Sequence, residues 1–182
     1  MGVDTAQLQT WLNSYDPEQI TIGVVASHSS LQILHGARME GFKTLGIAVG
    51  ENRRRFYSAF PGADPDEWLM LENYREMLDY ADWFRERNVI IVPHGSLVEY
   101  LGSTNFRNLQ VPTFGNRGIL HWESSRERQR LWLEDGGCSM PKVIDDPHDI
   151  DGPVIVKYAG AKGGEGYFIA RDYRDFKRNV NL

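Results

Sequence analysis

The chain has 182 residues, 41% of them hydrophobic, and a formal net charge of −5 from 20 basic and 25 acidic side chains. That length can bury a real core, while the absence of a long basic run argues against general nucleic-acid binding. No apolar run approaches the ~18 residues of a membrane span, and one cysteine, Cys138, can form neither an internal disulfide nor a thiolate metal cluster. Cys138 reads as a structural thiol, and the chain as an intracellular, cytoplasmic protein.

Residues 4–14 suggest a short helix with Leu8, Trp11 and Leu12 on one side. ITIGVVA at 20–26 reads as a buried strand. SLQILHGARMEG at 30–41 reads as a helix whose apolar side carries Leu31, Leu34, Ala37 and Met39, stopped by Gly41. KTLGIAVG at 43–50 is a second strand, followed by the basic stretch ENRRRF at 51–56. That stretch reads as a solvated loop, with a phosphate or oligomer contact as the alternative. WLML at 68–71 is a short strand or the lead into a helix. NYREMLDYADWFRERN at 73–88 is amphipathic, and VIIVP at 89–93 is a further strand. HGSLVEYLG at 94–102 is a loop feeding a short helix, and LQVPTFG at 109–115 is a last extended piece. Short, nearly continuous apolar strands separated by helices predict an α/β fold with an open parallel sheet.

The pattern changes near residue 119. HWESSRERQRLWLEDGG at 121–137 predicts one charged helix, and a short strand is expected around KVI at 142–144. PVIVKYA and the run after AKGGEG predict a hairpin with a glycine-rich turn. The expected domains are residues 1–118 and 119–182.

Two strand ends carry unusual groups. The first gives Ser27, His28, Ser29 and Ser30; the other gives His94, Gly95 and Ser96. Ligands of open parallel sheets sit beyond the carboxyl ends of strands, where helix starts favour phosphate. Ser29 or Ser30 caps the following helix in the plain reading, and capping does not exclude binding. His28 and His94 are read as donors to a phosphate or ribose oxygen. FGNRG at 114–118 offers Asn116 and Arg117, the latter for a phosphate or for a domain-linking salt bridge. The G-x-G-x-x-G fingerprint after the first strand is missing, so a nucleoside monophosphate or phosphosugar fits better than a nicotinamide dinucleotide. Lys157, at the end of a valine and isoleucine strand, is suited to a nucleotide phosphate. The loop with Gly163, Gly164 and Gly166 can lay backbone donors over further phosphates.

SHSSLQILHGARMEGFKT, IIVPHGSLVEYLG, VPTFGNRGIL and PVIVKYAGAKGGEGYF, in that order, resemble the N-terminal half of archaeal 5-formaminoimidazole-4-carboxamide ribonucleotide synthetase. That family comprises formate-activating ATP-grasp ligases of purine synthesis. The resemblance implies a preATP-grasp-type domain followed by the beginning of an ATP-grasp domain. It implies that 5-aminoimidazole-4-carboxamide ribonucleotide is formylated with formate, through formyl phosphate, using ATP with Mg2+ or Mn2+. His28 and Ser96 match the family positions that contact the aminoimidazole nucleotide; Ser29, Asn116 and Arg117 are placed with them. Lys157, Gly163, Gly164 and Gly166 match the ATP phosphate site. The first basic ATP-grasp position falls in SRERQR, where Arg128 is favoured.

The family chain is about twice as long, and its adenine hinge and metal-binding carboxylates lie beyond the matched part. No residue is assigned as a metal ligand. The expectation is an incomplete part that does not turn over alone, a homo-oligomer when full length, completed by a C-terminal ATP-grasp portion. A non-catalytic nucleotide-binding or assembly module, and an ATP-grasp ligase of another carboxylate and amine, are the alternatives.

Overall fold

In the computed structural model, residues 3–123, 125–158 and 166–180 are described. The chain gathers into two compact units, residues 1–132 and 133–182. The sequence expectation placed the division earlier, at 118/119, where the composition changes. The geometric division instead falls inside a helix.

The first unit is built on four parallel strands: β1 (Thr21–Val25), β2 (Lys43–Val49), β3 (Glu67–Leu71) and β4 (Val89–Ile91), in the order β3-β2-β1-β4. The helices are α1 (Thr5–Ser14), α2 (Ser30–Met39), α3 (Glu51–Tyr57), α4 (Ala81–Glu86), α5 (Gly95–Leu101), α6 (Ser103–Asn108) and α7 (Ile119–Glu123). α8 (Arg126–Asp135) crosses the division between the units. The run 109–115 adds one parallel bridge, Ile91 to Thr113.

The central strands are apolar because both faces are covered. Val25, Leu45, Ile47, Val89 and Ile91 pack with Met77, Phe84, Leu97, Leu101, Phe106, Leu109 and Val111 in one buried cluster. Two strand glycines serve this packing. A Cβ on Gly23 would lie 2.7 Å from Val89 Cγ1 and 2.8 Å from Ile91 Cδ1; one on Gly46 would lie 2.6 Å from the Trp68 ring. Beside α1, the buried Tyr15 donates its hydroxyl to the Val89 carbonyl at 2.9 Å. Burial pushes that phenol above its ordinary pKa, opposed by nearby Arg85.

Several local expectations change. Met39 is 73% exposed, because it lies two residues past Ala37 and so on the opposite side of a 3.6-residue turn. ENRRRF is helical rather than a loop: Gly50 turns the chain at φ +80°, and Arg54 Nε donates to Glu51 at 2.9 Å within α3. The run 73–88 divides into a 3-10 turn, Tyr74–Leu78, and α4. Asn73 and Glu76 tie up backbone and side-chain groups at its start. The amphipathic face survives the break, since Met77, Ala81 and Phe84 all reach the core. The helix expected over 121–137 comes as α7 and α8, and no strand forms around KVI, where Val143 is 52% exposed.

The second unit holds β5 (Val154–Lys157) antiparallel to β6 (Tyr167–Ala170), with Lys157 opposite Tyr167, and α9 (Tyr173–Asn179). The hairpin expectation holds. Phe168 meets Phe176 with ring centroids 6.1 Å apart.

Candidate ligand site at the strand ends

The chain runs outward from β1 to β2 and β3, then returns to the other side of β1 as β4. β1 and β4 are therefore the strands at which the order reverses, the place where open parallel sheets leave a crevice for ligands. The loops that leave their carboxyl ends are those of Ser27–Ser30 and His94–Ser96.

The first loop is tightly self-bonded. Ser27 and Ser30 are buried, and Ser30 Oγ donates to the Ser27 carbonyl at 2.7 Å while accepting from Ser27 N at 3.1 Å. Ser27 Oγ accepts from Ser29 N at 3.3 Å. Ser29 stands at the N-cap position of α2, but its side chain makes no capping bond. Two of the four polar groups thus shape the turn. The other two, the exposed His28 and the half-buried Ser29, are left outward.

The second loop is joined to the first strand. His94 Nε2 lies 3.1 Å from the Val25 carbonyl, the last residue of β1. The next carbonyl, that of Ala26, accepts from Arg53 Nη1 at 2.9 Å. Arg53 also donates to the Tyr100 hydroxyl at 3.1 Å and lies over the Tyr100 ring, which stacks on Tyr74. Three elements, α3, β1 and α5, are thereby fastened at one edge of the crevice. Burial holds the His94 imidazole below its ordinary pKa; the Val25 bond opposes this and the neighbouring His28 reinforces it. Ser96 is buried in the first turn of α5. The fold thus brings His28, Ser29, His94 and Ser96 to the two adjoining strand ends. Arg53 and Tyr100 had not been singled out from the sequence, although ENRRRF directly follows the end of β2, a strand of the same edge.

The remaining expected residues fall elsewhere. Asn116 is exposed and accepts from Gly118 N at 2.8 Å, forming a local turn. Arg117 is buried, and its guanidinium donates to the carbonyls of Phe106, Leu109 and Val111 and to the Thr113 hydroxyl. That placement replaces both the phosphate contact and the domain-linking salt bridge with a structural role. Desolvation lowers its pKa to about 10, so it remains charged at neutral pH. Arg128 Nη1 lies against the His121 ring, 2.6 Å from Nε2, and donates to the His121 carbonyl at 3.0 Å.

In the second unit Lys157 is exposed at the end of β5, and Gly166 has a φ of +73° at the start of β6, a conformation suited to glycine. Gly163 and Gly164 lie outside the described residues. No cluster of three His, Cys, Asp or Glu side chains that could hold a metal ion is present among the described residues. No described helix is long and apolar enough to cross a membrane.

A family model described as a protein of unknown function, DUF1246, matches residues 22–144. The chain belongs to that family. The DUF1246 region spans both strand-end loops and stops before Lys157. A relative from Methanosarcina barkeri is 53% identical over 175 residues, covering 96% of this chain and 49% of the relative. It is named 5-formaminoimidazole-4-carboxamide-1-(beta)-D-ribofuranosyl 5'-monophosphate synthetase. A relative of the same name from Archaeoglobus fulgidus is 42% identical, covering 97% of this chain and 48% of its own. The chain spans about half the length of the curated relatives it matches, and they carry the name the sequence motifs had suggested.

Among solved structures, an IMP biosynthesis protein PurP from Thermococcus kodakaraensis is 33% identical with a TM-score of 0.61, covering 82% of this chain and 49% of its own. N5-Carboxyaminoimidazole synthetase from Staphylococcus aureus, at 16% identity, has a TM-score of 0.66 over 89% of this chain and 43% of its own, a likeness of fold.

Proposed function

We propose that this chain is one part of an ATP-dependent ligase that formylates 5-aminoimidazole-4-carboxamide ribonucleotide with formate, and that the β1–β4 strand ends hold the ribonucleotide. The observation that carries this reading is the meeting of His28, Ser29, His94 and Ser96 at the reversal of strand order. The relatives' names support the substrate class, since each names a synthetase of the formylated aminoimidazole ribonucleotide.

In this reading His28, Ser29 and Ser96 orient the ribonucleotide. Lys157, Gly166 and the glycine loop with Gly163 and Gly164 receive the phosphates of ATP. Formate is a poor electrophile until its oxygen takes the terminal phosphoryl group, giving formyl phosphate and ADP. The 5-amine then attacks the formyl carbon, phosphate leaves with the C–O bond electrons, and the amine gives up one proton. Residues that hold the amine and exclude water favour this transfer over hydrolysis. The finer expectations, namely a complementary ATP-grasp portion, Mg2+ or Mn2+, assembly into homo-oligomers and cytoplasmic location, follow from the same reading.

Calorimetric titration of the chain with the ribonucleotide, ATP and NAD tests it. The ribonucleotide should bind more tightly than NAD. His28→Ala should weaken the ribonucleotide about ten- to a hundred-fold, as for a lost charge-assisted bond of ~1.5–3 kcal/mol, and leave ATP unchanged. Lys157→Ala should do the reverse. Tighter binding of NAD, or the two variants exchanging their effects, would sink the assignment.

A further inference from the structure

His94 Nδ1 is buried and has no hydrogen-bond partner among the described residues. The other ring nitrogen, Nε2, is 3.1 Å from the Val25 carbonyl. A carbonyl oxygen only accepts, so Nε2 carries the proton and donates it. The neutral ring then presents a lone pair at Nδ1, an acceptor with nothing to accept from. Buried acceptors are rarely left so, and an exception points to a water or a ligand.

The ring stands between the ends of β1 and β4, where His28 also acts on it electrostatically. An ionised phosphate offers acceptors alone and would repel the Nδ1 lone pair. The partner must bring an N–H or an O–H. An aminoimidazole carboxamide ribonucleotide carries such donors on its exocyclic amine, on its carboxamide and on its ribose.

Resting on the ribonucleotide reading above, we infer that His94 Nδ1 accepts a hydrogen bond from a donor group of the bound ribonucleotide, and so helps to select it. This reverses the role expected from the sequence, in which His94 donates to phosphate or ribose oxygen. It assigns His94 to recognition of a donor and leaves the phosphate to other groups of the two loops.

Two substitutions separate the ring nitrogens. In His94→Gln the amide nitrogen can take the place of Nε2 and keep the Val25 bond, while the Nδ1 acceptor is lost. In His94→Asn the side-chain oxygen can take the place of Nδ1, while the Val25 bond is lost. His94→Gln should keep its melting temperature and bind the ribonucleotide about five- to a hundred-fold more weakly. His94→Asn should melt lower and keep more of the affinity than His94→Gln. In ring-15N-labelled protein, the unprotonated His94 nitrogen should shift when the ribonucleotide is added. Titration with ribose 5-phosphate distinguishes the donors: weakening by His94→Gln assigns a ribose hydroxyl, and unchanged binding assigns an N–H of the base. Wild-type affinity in a normally melting His94→Gln, with no ring-nitrogen shift, overturns the inference and leaves the site reading intact. Failure of the wild-type chain to bind the ribonucleotide overturns both.

Discussion

The guanidinium of Arg53 lies 5.0 Å over the ring of Tyr100 and donates to that residue's hydroxyl, while the same nitrogen holds the Ala26 carbonyl. A cation on α3 thus fixes the end of β1 to α5. Its neighbour Arg54, by contrast, pairs with the exposed Glu51. Adjacent arginines in one basic run do different work, and the difference is set by which of them faces the sheet edge.

Arg53→Ala should therefore lower the free energy of unfolding by roughly 1–3 kcal/mol, the range for leaving a part-buried acceptor without its donor. Arg53→Lys should recover a minority of that loss, because an ammonium cannot both stack on the ring and reach two acceptors in the guanidinium's geometry. Arg54→Ala, which removes an exposed pair, should change stability by less than about 0.5 kcal/mol. Urea denaturation of the three variants checks this. Equal effects at 53 and 54 would refute the assigned bracket.

Arg117 offers a second contrast between charge and use. A buried guanidinium with carbonyl partners is expensive to remove, since Phe106, Leu109 and Val111 keep their oxygens and lose the donor. Arg117→Leu should cost about 2–4 kcal/mol of stability, at ~1–3 kcal/mol for each acceptor left unsatisfied and with partial relief by water. At temperatures where the variant is folded, ribonucleotide affinity should stay within about threefold of wild type. A normal melting temperature with abolished ribonucleotide binding would restore the phosphate role expected from the sequence.

The parts of this molecule that were legible in the sequence are those decided locally. Continuous apolar runs announced β1, β2 and β4, and Gly41 marked the end of α2 with its φ of +81°. The two loops with His28 and Ser96 were legible because strand ends are where parallel sheets place such groups. What the sequence could not reveal depends on distant partners. The bond from His94 to Val25 joins residues 69 apart, and only its geometry tells which ring nitrogen is a donor. Arg117 could not be distinguished from a ligand arginine, because its acceptors are mainly backbone carbonyls at the end of α6 and just after it, which leave no mark in side-chain spelling. The helical fate of ENRRRF was hidden because a basic run looks the same on a solvated helix and in a loop.

The His94 ring also makes stability depend on pH in a defined direction. Burial, with the help of His28, places its folded-state pKa below that of the unfolded chain, which is ~6.5. As pH falls through that unfolded value, the unfolded chain takes up a proton before the folded chain does. Stability therefore declines between about 6.5 and the lower folded pKa, and the contribution is constant above and below that window. The half-buried His121 is shifted the same way, by desolvation and then by Arg128 and Arg107, so the total decline is not His94 alone. Comparing wild type with His94→Gln isolates it, because glutamine does not titrate and can keep the Val25 bond. Unfolding free energies measured from about pH 7.5 down to about pH 5.5 should fall less steeply in His94→Gln than in wild type. The carboxylate Asp146, held low by its bonds to His148, titrates well below that range and does not confuse the comparison. Parallel curves for the two proteins would mean that His94 ionises alike in the folded and unfolded chain, and its ring would then be open to water.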